Sequence, residues 1–437
     1  MSAYKPYPAY KDSGVEWLGE VPEGWVVLPM KRISRLCTER SESRSFQVGL
    51  EQIESWSGRF IEGDVDFEGG GIAFQPGDIL FGKLRPYLAK VWLADRTGEA
   101  VGDFHVIRVQ PPNVPEFVHR ILLSRDVISL IDGSTYGAKM PRASWEFIGA
   151  LPTPVPQSDE QTAIAAYLDH ETAKIDALIA ALRRLIDLLR EKRSALISHA
   201  VTKGLNPDAP MKDSGVEWLG EVPEGWEVFP MKRLAKTQLS NVDKHMTDGE
   251  RAVKLCNYVD VYKNERITPD ISFMPSTASD DQIKRLSIRR GDVIITKDSE
   301  TPDDIGVPSL VAENLEGVVC GYHLALLRPL DEKGVGEYLA KLLKSAYVRA
   351  QFSASAVGMT RYGLSKYDIE NVLLPVPPPA EQTAIAAFLD RETAKINALI
   401  AKTEKAIELA QERRSALISA AVTGKIDVRD LGLHARV

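Results

Sequence analysis

Long apolar runs are missing from these 437 residues. No stretch approaches the roughly 18 residues needed to cross a bilayer, and the opening MSAYKPYPAYKDSG holds no apolar signal core. A soluble, cytoplasmic chain is expected. Cysteine is nearly as scarce: Cys37, Cys256 and Cys320 are too scattered for a disulfide framework, and with the 7 histidines they form no recognisable metal-ligand spacing. All three are expected to be small core residues, and no metal site is expected. A large excess of positive charge is lacking too. The formal net charge of -7 argues against a wholly basic nucleic-acid coat, although binding to phosphate depends on local basic surface rather than on the chain total. Catalytic signatures are also missing. There is no Asn-Pro-Pro-Tyr/Phe motif for adenine methylation, no glycine-rich S-adenosylmethionine fingerprint, no helicase box and no paired-carboxylate-plus-lysine nuclease core. No catalytic residue is assigned; the chain reads as one that binds rather than reacts.

What the sequence does contain is itself, twice. Lys11 to Trp25 (KDSGVEWLGEVPEGW) returns letter for letter as Lys212 to Trp226. Glu160 to Ala180 returns as Glu381 to Ala401 with changes only at Tyr167/Phe388, His170/Arg391 and Asp176/Asn397, and RSALISHAVT at Arg193 returns as RSALISAAVT at Arg414. Between these copies lie two inserts, residues 33–150 and 234–372, that share almost nothing. A period this long is a duplication and not a solenoid. A constant frame with variable inserts is one scaffold built twice to hold two different reading surfaces.

Each half reads as a tryptophan-bearing lead segment, a mixed α/β insert, a proline-rich stop and a long helix. The stops, Leu151 to Pro156 and Leu374 to Pro379, lose too many backbone donors for a helix or a central strand. Ser158 with Gln161 makes a capping-box pattern, Pro379 suits a first helical turn, and Gly204 and Gly424 sit where helix C-terminal glycines belong. Helices of this length span about 60 Å. The first carries a seam at Ile164, Leu168, Ile175, Leu178, Leu182, Leu185, Leu189 and Leu196, broken at Glu171 and Lys192; the second runs Ile385, Leu389, Ile396, Leu399, Thr403, Ala406, Ala410 and Leu417. A seam with alternating three and four spacing needs a partner helix, and the two helices are expected to pair, with the large leucines packing over the alanine stretch. The other packing leaves each helix as a core element of its own half.

Within the inserts, Gly77-Asp78 and Gly291-Asp292 each lead into a short apolar strand, and Phe104-His105 and Tyr322-His323 open a second matched pair, so the inserts are expected to share a fold. Gly77 to Lys83 nearly spells a phosphate-binding loop, but Leu84 replaces the Mg²⁺-holding hydroxyl and Pro86 obstructs the following helix. Gly69-Gly70-Gly71 reads as a turn. After the first strand come Lys83, Arg85, Tyr87 and Lys90, a set suited to guanine O6/N7, to phosphate and to packing on sugar or base. The matching site in the second half is Thr296-Lys297-Asp298-Ser299-Glu300, polar but quite differently charged. A later loop carries Tyr136, Lys139 and Arg142 in the first half and Thr360, Arg361 and Tyr362 in the second, each beside glycine that admits close backbone approach. Asn257-Tyr258 to Tyr262-Lys263-Asn264 adds amides of the kind that pair with adenine; its alternation fits a half-buried strand in which Tyr258 is structural and Lys263 is a contact. For any one of these residues a solvated loop is the competing reading.

The duplicated Val-Glu-Trp-Leu-Gly-Glu-Val-Pro-Glu-Gly-Trp, the divergent insert, Pro-x-Pro followed by Glu-Gln-x-x-Ile-Ala-x-Tyr/Phe-Leu-Asp, and Arg-x-Ala-Leu-Ile-x-x-Ala-Val-Thr together resemble the specificity subunit of type I restriction-modification systems over essentially the whole chain. The resemblance implies an α+β fold: two mixed α/β target-recognition domains separated by two long antiparallel helices forming a coiled coil, with an internal pseudo-twofold repeat. The divisions are 1–156 for the lead segment and first recognition domain, 157–204 for the first helix, 205–377 for the repeated lead segment and second domain, 378–424 for the second helix and 425–437 for a tail. It implies a DNA-binding, non-enzymatic chain in which each domain reads one half of a bipartite asymmetric site. Implied partners are double-stranded DNA, two modification (methyltransferase) subunits and restriction (translocase/endonuclease) subunits. S-adenosylmethionine, ATP and Mg²⁺ would belong to those partners, with no cofactor in this chain. The coil would act as a ruler between major-groove contacts, which lie about 34–36 Å apart for half-sites one turn apart. Glu171, Lys174, Arg183, Arg184, Glu392 and Lys395 would form docking faces for modification subunits. A self-sufficient endonuclease would instead need clustered acidic ligands and cut DNA with Mg²⁺ alone. An RNA-binding or purely structural coil would show no preference among duplex DNA sequences.

Overall fold

The computed structural model of the chain describes residues 5–41, 46–63, 69–135, 139–330, 333–429 and 431. The chain forms two compact units, residues 1–183 with 404–437 and residues 184–403, and both divisions fall inside a long helix. Those helices are Ser158–Lys203 and Pro379–Val422. Among the described residues no helix is long and apolar enough to cross a membrane, and no group of His, Cys, Asp or Glu could hold a metal ion.

In the first unit, Ser34–Cys37, Phe104–Val109, Asp78–Gly82 and Val91–Leu93 form a four-stranded antiparallel sheet in that spatial order. Asp78–Gly82 is buried throughout, which is why its sequence is a continuous apolar run rather than an alternation. A smaller sheet of Arg40–Ser41, Gly71–Phe74, Gly98–Ala100 and Gln47–Val48 closes a second core around Phe74, Trp92 and Phe104. The second unit repeats the plan. Val293–Thr296 pairs with Leu324–Pro329 in a five-stranded sheet, beside a three-stranded sheet of Met274–Ala278, Arg251–Cys256 and Val318–Cys320. The matched strand pairs expected from sequence are thus adjacent strands in both inserts. Cys37, Cys256 and Cys320 are free and buried.

The Gly-Asp turns have a structural reason. Asp78 accepts the Gln75 amide at 2.9 Å and a paired fork from Arg108 at 2.7 and 2.6 Å; Asp292 accepts the Arg289 amide at 2.8 Å and the same fork from Arg328 at 2.8 and 2.6 Å. Each carboxylate closes the turn and joins two strands, and its burial is compensated by the guanidinium. The segment at Gly77 is therefore a strand start and not a phosphate loop.

The letter-for-letter repeat is explained by the way each insert is fastened to a helix start. Trp25 Nε1 donates to Glu160 at 3.1 Å, and Trp226 Nε1 donates to Glu381 at 3.1 Å. Gln161 bonds the Val114 amide and the Pro156 carbonyl at 2.9 Å each, as Gln382 does with Val335 and Pro377. The proline stops become short strands, Pro152–Val155 against Val26–Pro29 and Leu373–Val376 against Glu227–Pro230. Being two-stranded, these ribbons tolerate proline where a central strand would not. Gly424 has φ +74°, and a Cβ there would come within 2.3 Å of Pro22, so the C-terminal glycine is required by contact as well as by conformation.

The helices pair within each unit. In the first, Ile164, Leu168, Ile175 and Ile179 share a core with Ala410, Leu417, Ile418 and Ala421. In the second, Arg193 Nη1 donates to Asn397 Oδ1 at 2.7 Å across the same kind of contact. The seam phase differs from the sequence expectation. Ile396 is buried, Leu182 and Leu189 are half-buried, but Leu178, Leu185 and Leu399 are 52%, 43% and 51% exposed. Buried positions run Leu168, Thr172, Ile175, Ile179, Ile186, so Thr172 occupies a seam position and sets a four-three alternation that passes through the isoleucines. Counting only apolar residues shifts the phase by one residue at Leu178-Ile179 and Leu185-Ile186. A second difference is local: Tyr258–Lys263 is a helix, not a strand, begun where Asp260 accepts the Asn257 amide at 2.8 Å.

Candidate nucleic-acid interface

The loop after each central strand meets the later polar loop at one end of its sheet, held by the same backbone stitch. In the first domain the Lys83 amide donates to Asp103 O at 2.9 Å and Lys83 O accepts from Ala143 at 2.8 Å. In the second, Lys297 donates to His323 O at 3.0 Å and accepts from Leu364 at 2.8 Å. Lys83 and Lys297 are therefore structural equivalents, and what surrounds them differs.

At the first tip Arg142 forms a fork with Asp103, at 3.1 and 2.9 Å, and the Lys83 ammonium lies 3.8 Å from the same carboxylate. That carboxylate holds the Arg142 guanidinium above its ordinary pKa. Arg85 and Tyr87 are exposed, and among the described residues no ion pair engages Arg85. The Arg85 amide donates to Pro141 O at 2.9 Å, so the two loops are joined at the point where Arg85 projects. Arg85 has φ +51° and Ala89 φ +47°, left-handed values that cost a non-glycine residue roughly 1–2 kcal/mol each. Strain held at an exposed cation is a pointer to function. Lys139 is exposed in the same loop as Arg142, and Tyr136 lies outside the described residues. Lys90 is placed differently from its neighbours: its ammonium donates to Leu50 O at 2.6 Å, and burial pulls its pKa down, so it holds the loop instead of presenting a charge.

At the second tip Ser299 pairs with Tyr362 and Asp298 with Gly363. Tyr258, Tyr262, Asp298, Ser299, Glu300, Thr301, Asp304, Thr360 and Arg361 line a cavity of about 490 Å³. Tyr258 and Tyr262 stack with ring centroids 5.7 Å apart, and Tyr262 donates to Asp304 at 2.7 Å. Asp298 meets His323 Nδ1 at 2.5 Å and Lys297 Nζ at 3.0 Å. Burial pushes the Asp298 carboxyl up, and those two hydrogen bonds overcome it and hold the group below the usual carboxylate range. Lys297 also lies 5.3 Å from the centroid of the exposed Tyr322 ring. Lys263 is not part of this lining; it borders a neighbouring cleft with Arg190, Arg193, Lys344 and Arg349. Asp103, Tyr322 and His323 are tip residues that the sequence did not mark as part of a reading site. Their signal lay in the matched strand starts at Phe104 and Leu324, which place residues 103 and 323 against the two lysines.

Each of the two domains thus presents a stitched polar tip and is fastened to a long helix. Residues 223–409 match the Type I restriction modification DNA specificity domain. The chain is 23% identical over 303 residues to the type I restriction enzyme MjaVIII specificity subunit of Methanocaldococcus jannaschii, covering 69% of this chain and 68% of that protein. It is 22% identical over 369 residues to the EcoBI specificity subunit of Escherichia coli, covering 80% and 74%. Its fold resembles a chain solved in work on complex assembly and conformational transition of the type I R-M system, with a TM-score of 0.72 at 18% identity over 92% of this chain and 98% of that one. The chain is thus similar, in sequence over its second half and in fold over most of its length, to type I restriction-modification specificity subunits.

Proposed function

We propose that this chain selects the DNA sequence on which a type I restriction-modification complex acts, with each recognition domain reading one half of a bipartite, asymmetric site. The observation that carries this reading is the contrast between two tips built on one backbone stitch. The first presents Lys83, Arg85 and Arg142, with Tyr87 and Lys139 beside them. A guanidinium there suits guanine O6/N7 and the lysines suit phosphate. The second presents Thr360, Arg361 and Tyr362 around three carboxylates, whereas Ser299, expected from sequence to be a contact, is buried beneath them by its pairing with Tyr362. Among the described residues Glu300 is engaged by no ion pair, and an acceptor of that kind suits the amino group of cytosine in the major groove. Lys297 and Lys263 supply positive charge to its flanks.

The partners of this reading are double-stranded DNA, two modification subunits and the restriction subunits, and S-adenosylmethionine, ATP and Mg²⁺ act on those partners. The helices offer repeated docking faces. Glu171–Lys174 at 2.7 Å and Glu392–Lys395 at 3.0 Å are equivalent ion pairs, and Leu178/Leu399 and Leu188/Leu409 are equivalent exposed leucines. Two equivalent faces fit two copies of one partner.

Methylome sequencing of cells carrying the whole system tests the division of labour. Arg85→Ala is expected to relax the first half-site and leave the second intact, and Arg361→Ala to do the reverse. Equal relaxation of both half-sites by either variant contradicts the reading. The purified chain with S-adenosylmethionine, ATP, Mg²⁺ and plasmid is expected to leave the DNA unchanged.

A further inference from the structure

Among the described residues four non-glycine residues have positive φ: Trp56 (+63°), Arg85 (+51°), Ala89 (+47°) and His323 (+69°). Three of them are linked. The Trp56 amide donates to Ala89 O at 3.1 Å, and Ala89 and Leu88 donate back to Pro86 O and Arg85 O at 2.8 and 2.9 Å, closing the turn that presents Arg85. On its other side, the Trp56 carbonyl accepts from Arg414 Nη1 at 2.9 Å. Arg414 belongs to the second long helix and is buried, and its Nε bonds Asp176 of the first long helix at 2.9 Å. Burial pulls this guanidinium below its ordinary pKa against the pull of Asp176, so its charge is retained by its partners and not by solvent. One side chain thus spans both helices and the loop that backs the first reading turn.

The loop cannot easily yield. Gly58 has φ +70°, and a Cβ there would lie 2.7 Å from Val91 O and 2.9 Å from His119. Glu54 clamps the loop by accepting from Ser57 at 2.6 Å and Arg59 at 2.8 Å. The loop is thus held between Arg414 and Ala89, beside a cavity of about 540 Å³ that Trp56 and Arg414 line.

The duplicate half lacks the link. Arg193 occupies the place of Arg414, and Asn397 that of Asp176; among the described residues Arg193 donates to Asn397 and to no recognition-domain carbonyl. Helix pairing alone is satisfied by that simpler contact, so the extra bond from Arg414 to Trp56 answers a different need.

We infer that Arg414 is a positioning residue for the first half-site: it fixes the strained turn carrying Arg85 relative to the helix pair, with no counterpart for the second half-site. The inference rests on Arg85 being a base reader. The test uses the full chain purified with its modification subunits and duplexes in which one half-site at a time is randomised. Arg414→Met is expected to lower discrimination at the first half-site about tenfold, leaving the second unchanged. In an Arg85→Ala background the same change is expected to cost less than twofold, because both act through one turn. Asp176→Asn recreates the Arg193–Asn397 type of pair and is expected to keep discrimination. If Arg414→Met does not fold, Arg414→Lys serves, since an ammonium cannot fork between Asp176 and the Trp56 carbonyl. Equal losses on both half-sites, or losses that multiply with Arg85→Ala, overturn the inference while leaving Arg85 a reader. If Arg85→Ala itself leaves first-half discrimination unchanged, the reader and the inference fall together.

Discussion

Arg85 and Lys83 are neighbours with different predicted signatures. If Arg85 pairs with a base, Arg85→Ala costs roughly 1–3 kcal/mol in a sequence-dependent way; if Lys83 meets phosphate, Lys83→Ala lowers the salt slope by about one unit on every sequence. Titration of binding against salt, on matched and mismatched duplexes, separates the two. Lys83, Arg85, Lys297 and Arg361 could be picked from sequence because cations beside proline or glycine stand out locally. Asp103 and His323 could not, since each gains its meaning from a partner on another strand. His119 makes a separate prediction about pH. It is buried against Val91 O, and desolvation, reinforced by Arg120 and Arg414, lowers its pKa to about 3. The unfolded chain therefore takes up a proton below about pH 6.5 that the folded chain refuses, so stability contributed by the neutral imidazole is present above that pH and lost as pH falls towards 3. Melting at pH 7.5 and 5.0 should show about 2 kcal/mol more acid destabilisation in the wild type than in His119→Gln. Equal acid sensitivity would show that this histidine is not the group responsible.

The long helices were legible as elements because their caps, stops and glycines all agree. Their facing surface was only half legible, since Leu178-Ile179 and Leu185-Ile186 offer two apolar phases and Thr172 hides the true one. The two phases predict different mutants. Ile179→Ala should cost about 2–4 kcal/mol through a buried cavity, while Leu178→Ala should stay within about 0.5 kcal/mol. Denaturant melting decides between them, and a larger loss at Leu178 would restore the phase expected from sequence. The exposed leucines make a complementary prediction. Leu178→Lys with Leu399→Lys should leave folding intact and weaken capture of modification subunits in a pull-down; undiminished capture would remove these leucines from the docking face. The segment Tyr258–Lys263 shows the limit of short windows, because the six residues Tyr-Val-Asp-Val-Tyr-Lys satisfy either period until Asn257 and Asp260 settle them as a helix start.

Duplication was the most legible property of the whole molecule, and the structure gives its reason: Trp25 with Glu160 and Trp226 with Glu381 perform one fastening twice, whereas the inserts are free to differ where they meet no frame. The same logic predicts how one half behaves alone. A fragment of residues 1–204 exposes an unpartnered seam, which a second copy can cover antiparallel, with Arg193 of each copy meeting Asp176 of the other. Sedimentation should find a dimer; a stable monomer would sink the equivalence of the halves. The central claim, that each insert separately specifies one half-site, is tested most directly in a full-length chain whose residues 234–372 are replaced by a second copy of 33–150. Methylome sequencing of cells carrying that chain with its modification subunits should find an interrupted palindrome built from the first half-site, because identical readers across a twofold axis require a palindromic target. Retention of the original asymmetric sequence would contradict the account.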